Sequence, residues 1–144
     1  MTTNSNKPNL AFWIIAIIAL IWNAMGVDAY IQQAYKTDRF KSMYSEEQLE
    51  IINNLPSWYT AIFAIAVFVS VLGCILLIMR KKLAIKVFLL ALIAVVIQTG
   101  YNLFLNPGKE MYGSMEYSML IMIPLVSLVL YFYSKKSDQR GWLS

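Results

Sequence analysis

Four stretches of the chain are almost purely apolar, and polar residues collect between them. A helix needs about 20 residues to cross the ~30 Å hydrocarbon core of a bilayer. Positions 10–30 supply the first stretch. Leu10 to Ile21 carry no polar side chain there, and the continuation holds Asn23 and Asp28. Positions 58–79 supply the second, interrupted by Thr60, Ser70 and Gly73. Positions 83–105 supply the third, with Lys86 near one end and Gln98, Thr99 and Asn102 near the other. Positions 115–133 supply the fourth, and Pro124 inside it predicts a bend. The pattern predicts an all-α fold. It is an integral membrane, antiparallel four-helix transmembrane bundle that forms a single domain over residues 1–144.

The connections differ in kind. Arg80-Lys81-Lys82 is short enough for a tight turn, so the second and third helices form a hairpin. Asn106-Pro107-Gly108 stops the third helix. Residues 31–57 make a much longer loop. Within it, Ser45 followed three residues later by Gln48 matches a capping box. Leu49, Ile52 and Leu55 then recur at helical spacing, which predicts a short amphipathic helix lying on the membrane surface or capping the bundle. The segments Met1–Pro8 and Lys135–Ser144 are polar and read as mobile tails. Ala24-Met25-Gly26 loosely matches a leader cleavage site, but Lys7 is the single basic residue before it. The first stretch therefore reads as a retained span.

Composition narrows the chemistry. Hydrophobic residues make up 59% of the chain and charged residues 14%, against about 25% charged in an ordinary soluble domain. The mean hydropathy is +0.58. A chain this short has too little interior to hide so much apolar surface from water, and neither disorder nor nucleic-acid binding fits it. There is one cysteine, Cys74, and no histidine. Internal disulfides, CxxC redox pairs, histidine haem ligation and histidine general bases are thereby excluded. No metal site, cofactor motif or catalytic constellation is legible, which points away from an enzyme.

Charge sets the expected orientation. Lys7, Arg80, Lys81, Lys82, Lys86, Lys135, Lys136 and Arg140 fall on one side of a four-span chain, eight of the 12 basic residues. Lys36, Arg39, Lys41 and Lys109 fall on the other. The positive-inside rule places both ends of the chain in the cytoplasm, N-in and C-in. Arg80, Lys81 and Lys82 serve as a topology signal or as a site for anionic lipid headgroups.

Small residues mark the expected packing faces. They run Ala16, Ala19, Asn23, Gly26, Tyr30 on the first helix and Ala66, Ser70, Gly73 on the second. On the third they run Ala84, Val87, Ala91, Ala94, Gln98, Tyr101. Both the first and third helices run outward. Asn23, Asp28, Tyr30, Gln98, Tyr101 and Asn102 are therefore expected at matching depths, as one polar cluster in the outer half. Two readings stand. The amides cross-link helices, with Asp28 in the headgroup region or paired with Arg39 or Lys41. Alternatively, the six residues line a site for a solute or a proton. Asp28 lies about 140° around the helix from Asn23, which works against a tight joint site.

The run Trp22-Asn23-Ala24-Met25-Gly26-Val27-Asp28-Ala29-Tyr30 is distinctive. So are Leu55-Pro56-Ser57-Trp58 leading into Ala64-Ile65-Ala66-Val67-Phe68, then Gly73-Cys74-Ile75-Leu76-Leu77, and Lys82-Leu83-Ala84 followed by Phe88-Leu89 and Gln98. Together, from about Trp22 to Asn102, they resemble a family of short four-helix bacterial membrane proteins sometimes labelled sugar transporters. The resemblance implies four spans in a bacterial inner membrane and transfers no functional residue.

The residues themselves favour a non-catalytic accessory or interaction protein, as a homo-oligomer or within a larger membrane complex, in contact with membrane lipid. The alternative is a small-solute transporter working as an oligomer, with a polar site between the first and third helices. Topology is directly testable. A reporter active only outside the cytoplasm should respond when fused after Asn106 and stay silent when fused after Ser137; the opposite pattern would invert the orientation.

Overall fold

The computed structural model describes residues 7–144. It comprises α1 (Leu10–Tyr35), α2 (Asp38–Ser42), α3 (Glu46–Asn53), α4 (Ser57–Ile78), α5 (Leu83–Phe104), a 3-10 turn (Lys109–Met111) and α6 (Ser114–Gln139). The described residues are helical or irregular, without a strand. Four helices, α1, α4, α5 and α6, are long and apolar enough to cross a membrane. They match the four expected stretches, with α1 and α6 each extended by about a turn or more.

Local chemistry explains the boundaries. Asn9 caps α1 by accepting from the Phe12 N–H at 2.9 Å. The helix stops at Lys36, whose left-handed backbone (φ 50°) returns its N–H to the Gln32 carbonyl. The capping box at α3 forms as expected. Ser45 Oγ accepts from Gln48 N, and Gln48 Oε1 accepts from Ser45 N. The short helix α2 was not legible beforehand. Thr37 caps it, and it buries Phe40, whose ring lies 5.1 Å from that of Tyr44. Pro124 lies inside α6, which continues through it as a helix.

The α4–α5 hairpin is the centre of the structure. Its two helices pack along their length, α1 packs on α4, and α6 packs on α5. Gly73 allows a close approach: a Cβ there would meet the Phe88 ring at 2.7 Å. The expected small-residue stripes are largely buried, with Ala16, Ala19, Ala66, Ser70, Gly73, Ala84, Ala91 and Ala94 all inside. The larger faces of Ile, Leu, Val and Phe point outward instead. Ile18, Leu90, Val96 and Phe132 are each at least half exposed, as residues that face lipid would be.

The four long helices have two distinct ends. The Arg80–Lys82 turn marks the basic end, and α2, α3 and the 3-10 turn mark the loop end. At the basic end α1 and α6 meet through aromatic rings. Phe12 lies 6.3 Å from Tyr133 and 5.6 Å from Trp142.

That contact depends on residues 135–144, which differ from the mobile tail expected of a polar segment. Helix α6 continues to Gln139, and Gly141 (φ 78°) then reverses the chain. Trp142 and Leu143 drop into the core beside Phe12, Leu77, Phe88 and Leu130. Ser144 N donates to the Arg80 carbonyl (2.9 Å), Lys82 N donates to the Ser144 oxygen (3.0 Å), and Arg80 Nε donates to the Trp142 carbonyl (2.8 Å). Lys82 pairs with Asp138 at 3.6 Å. The corresponding expectation for residues 1–6 lies outside the described residues. Replacing Trp142 with Ala should lower stability in detergent by about 3 kcal/mol, as for other buried large-to-small changes. Thermal or denaturant unfolding would read it, and an unchanged midpoint would show that the segment packs without holding the fold.

Candidate functional site

The six residues expected in one polar cluster fall into separate places, because α4 stands between α1 and α5. Asn23 donates to the Ala19 carbonyl (2.8 Å) and to Cys74 Sγ (3.3 Å). Cys74 is only four residues from the basic end of α4. Asn23 therefore sits at the level of the basic half of α4 and not at the depth of Gln98. Asp28 is 57% exposed, accepts from Gln32 Nε2 at 2.7 Å and pairs with Arg39 at 3.7 Å. Of the partners considered for it, Arg39 is the one in place. Tyr30 packs edge-on against Phe63 and Phe68 of α4. Equal depth in the sequence assumed helices of equal register, whereas α1 is displaced along α4.

The other three do come together, around Tyr59 of α4, which is not among the six expected residues. Tyr59 is buried near the loop end of α4. Gln98 Nε2 donates to the Tyr59 hydroxyl (3.4 Å), and that hydroxyl donates to Asn102 Oδ1 (3.1 Å). Asn106 Nδ2 donates to the same Asn102 oxygen (3.0 Å), and Asn106 Oδ1 accepts from Gly108 N (2.8 Å). Tyr101 stacks against Tyr59 at 4.8 Å and meets Trp58 at 5.2 Å. The chain of bonds ties α4 to α5 and to the turn after it. Gln98, Asn102 and Asn106 recur every four residues, which is the spacing that places them on one helical edge. That spacing was the available signal for Asn106, which the reading of Asn106-Pro107-Gly108 as a helix stop hid.

A groove of about 320 Å³ runs between α1 and α6, with α4 and α5 as its floor. Gly26 and Ala29 of α1, Ala66 and Ser70 of α4, and Met119 and Ile123 of α6 line it. Asn23 and Gln98 reach the groove as well, whereas Asp28, Tyr30, Tyr101 and Asn102 do not. Its wall is mostly apolar. Ser70 turns its hydroxyl back to the Ala66 carbonyl at 2.6 Å and so offers little polarity.

The basic triplet is divided too. Arg80 is engaged by the Trp142 carbonyl and Lys82 by Asp138, while Lys81 is exposed. At the loop end, burial pushes the Tyr112 hydroxyl up to about 12, helped by neighbouring phenols and Glu116. Burial and then Glu116 raise Tyr44 as well. Both phenols stay neutral across the physiological range.

Changing Tyr59 to Phe keeps the ring stacking and removes the hydroxyl that joins Gln98 to Asn102. Stability should fall by about 1–2 kcal/mol, the usual cost of removing one partner from a partly buried hydrogen-bonded group. Unfolding in detergent would measure it, and an unchanged value would mean that the amides find other partners. Comparison with known protein families, with curated proteins and with solved structures finds no match to this chain.

Proposed function

We propose that the chain is a multi-pass protein of a bacterial inner membrane, non-catalytic, with both ends cytoplasmic. Its four long helices form an antiparallel bundle that serves as an interaction module, either in a larger complex or with a second copy of itself. The four apolar helices support the membrane setting. The basic triplet and the resemblance to four-helix bacterial membrane proteins support the compartment and orientation.

The observation that carries the interaction reading is the groove between α1 and α6. In lipid, helices associate where small residues let backbones approach and where polar groups add contacts. Gly26, Ala29, Ala66 and Ser70 supply the first, and Asn23 and Gln98 the second. Along α1 the lining runs from Trp22 to Ala29, and along α6 from Met119 to Ser127. That is about 10–12 Å, or two helical turns, at 1.5 Å per residue. The occupant that fits this description is one transmembrane helix of a partner protein, seated over two turns.

A second reading, transport of a small solute by an oligomer, draws support from Asn23 and Gln98 lining the same groove. Its weakness is that Asp28, the ionisable member of the expected site, is solvent-facing and paired with Arg39.

One experiment separates the two. A photo-crosslinking residue at Ile123, activated in native membranes, should trap a discrete protein adduct. The same residue at Leu90, on an exposed face of α5, should label lipid. A chain recovered only as a lone monomer would overturn the interaction reading. Solute uptake into vesicles that is lost in Gln98→Leu but kept in Asp28→Asn would establish transport in its place.

A further inference from the structure

A second cavity, of about 160 Å³, opens at the loop end. It shares no lining residue with the groove between α1 and α6. Tyr44, Tyr59 and Tyr112 bring three phenol rings to its wall, Gln33, Gln48 and Asn106 bring three amides, and Glu116 brings the single charge. These residues come from α1, the α2–α3 connection, α3, α4, the loop before α6, and the first turn of α6. Nothing in the sequence places them together.

Glu116 is the informative member. Its Oε2 accepts from Gly113 N at 2.9 Å, which fixes the carboxylate at the start of α6. The ion pairs among the described residues are Arg39–Asp28 and Lys82–Asp138, so Glu116 faces the cavity without a cation. Lys109 is not among the lining residues and donates to the Phe104 carbonyl at 3.1 Å. The field at this end is also negative. Asp28, Asp38, Glu46, Glu47, Glu50, Glu110 and Glu116 stand against Lys36, Arg39, Lys41 and Lys109, a net of −3. Such a field concentrates cations and repels anions.

We propose that this cavity binds a small organic cation of the substituted-ammonium class, with Glu116 as its counter-ion and Tyr44, Tyr59 and Tyr112 as its aromatic wall. Phenol rings attract an ammonium through the negative charge of their faces, and the attraction grows as water is excluded. Gln33 and Gln48 offer carbonyl oxygens to N–H or O–H groups on the same ligand. An inorganic divalent ion fits less well, because a lone carboxylate among phenols and amides lacks the multiple hard oxygen ligands that such ions take. The proposal is independent of the partner-helix reading, since the two cavities are separate and either can fail alone.

The test uses choline and its uncharged carbon isostere, 3,3-dimethylbutan-1-ol, titrated into the whole detergent-solubilised protein by calorimetry. Choline should bind saturably, and the isostere should bind at least about tenfold more weakly if the charge and the rings recognise it. Glu116→Gln keeps the acceptor for Gly113 N and should lose about the same factor, whereas Glu116→Asp should retain most of the affinity. Equal binding of choline and the isostere would overturn the proposal. So would undiminished choline binding by Glu116→Gln, or a folded parent protein that shows no saturable choline binding.

Discussion

The Phe88 ring lies against α4 where Gly73 has no side chain, and the rest of the structure is arranged around that contact. A helix pair proposed to sit in hydrocarbon gains nothing from leaving water a second time, so close packing has to hold it together. Gly73 lets α4 and α5 approach, and Ala66, Ser70, Ala84, Ala91 and Ala94 continue the seam on either side. Both other long helices then pack against this hairpin, α1 on α4 and α6 on α5. They meet in the ring cluster around Phe12, Tyr133 and Trp142. The groove follows from the same arrangement: two helices attached to opposite sides of a hairpin are joined at one end and leave a cleft elsewhere.

Polar groups are spent at the two ends of the hairpin. At the loop end Tyr59 joins Gln98, Asn102 and Asn106 into one chain of hydrogen bonds, so none of these amides has to face an apolar neighbour alone. At the basic end the backbone of Arg80–Lys82 pairs with Ser144, and Trp142 fills the space between α1 and α6. The hairpin is thus fastened at both turns, while its middle is left apolar. That middle carries the groove, and the loop end carries the separate tyrosine-lined cavity. The two candidate functions therefore occupy different physical environments, one suited to an apolar helix and the other to a cation.

Much of this was legible beforehand. The four long helices follow from apolar length alone, and the buried stripes follow from the recurrence of small residues every three or four positions. The cap at Ser45 follows from the Ser-to-Gln spacing. Each is a local property, readable from a window of one helix. The polar cluster was legible only in its α5 half. Gln98 and Asn102 lie on one helix edge and could be grouped, but the pairing with Asn23 assumed that α1 and α5 face each other. The polar composition of residues 135–144 also concealed two buried apolar residues, because a single turn of chain at Gly141 reverses which side Trp142 and Leu143 present.

The sequence by itself determined where the helices lie, which faces are small, and how charge divides between the two ends, because these depend on residue type and spacing. Only the tertiary structure decided which helices are neighbours and how far each is shifted along the next. That is why Asn23 meets Cys74 and not Gln98, why Tyr59 is the centre of the α4–α5 relay, and why Glu116 shares a cavity with Tyr44 from another part of the chain. In a chain this apolar many faces would pack almost equally well by composition. The choice among them rests on shape, on a glycine opposite a ring and a tryptophan between two helix ends, and shape emerges only when the helices meet.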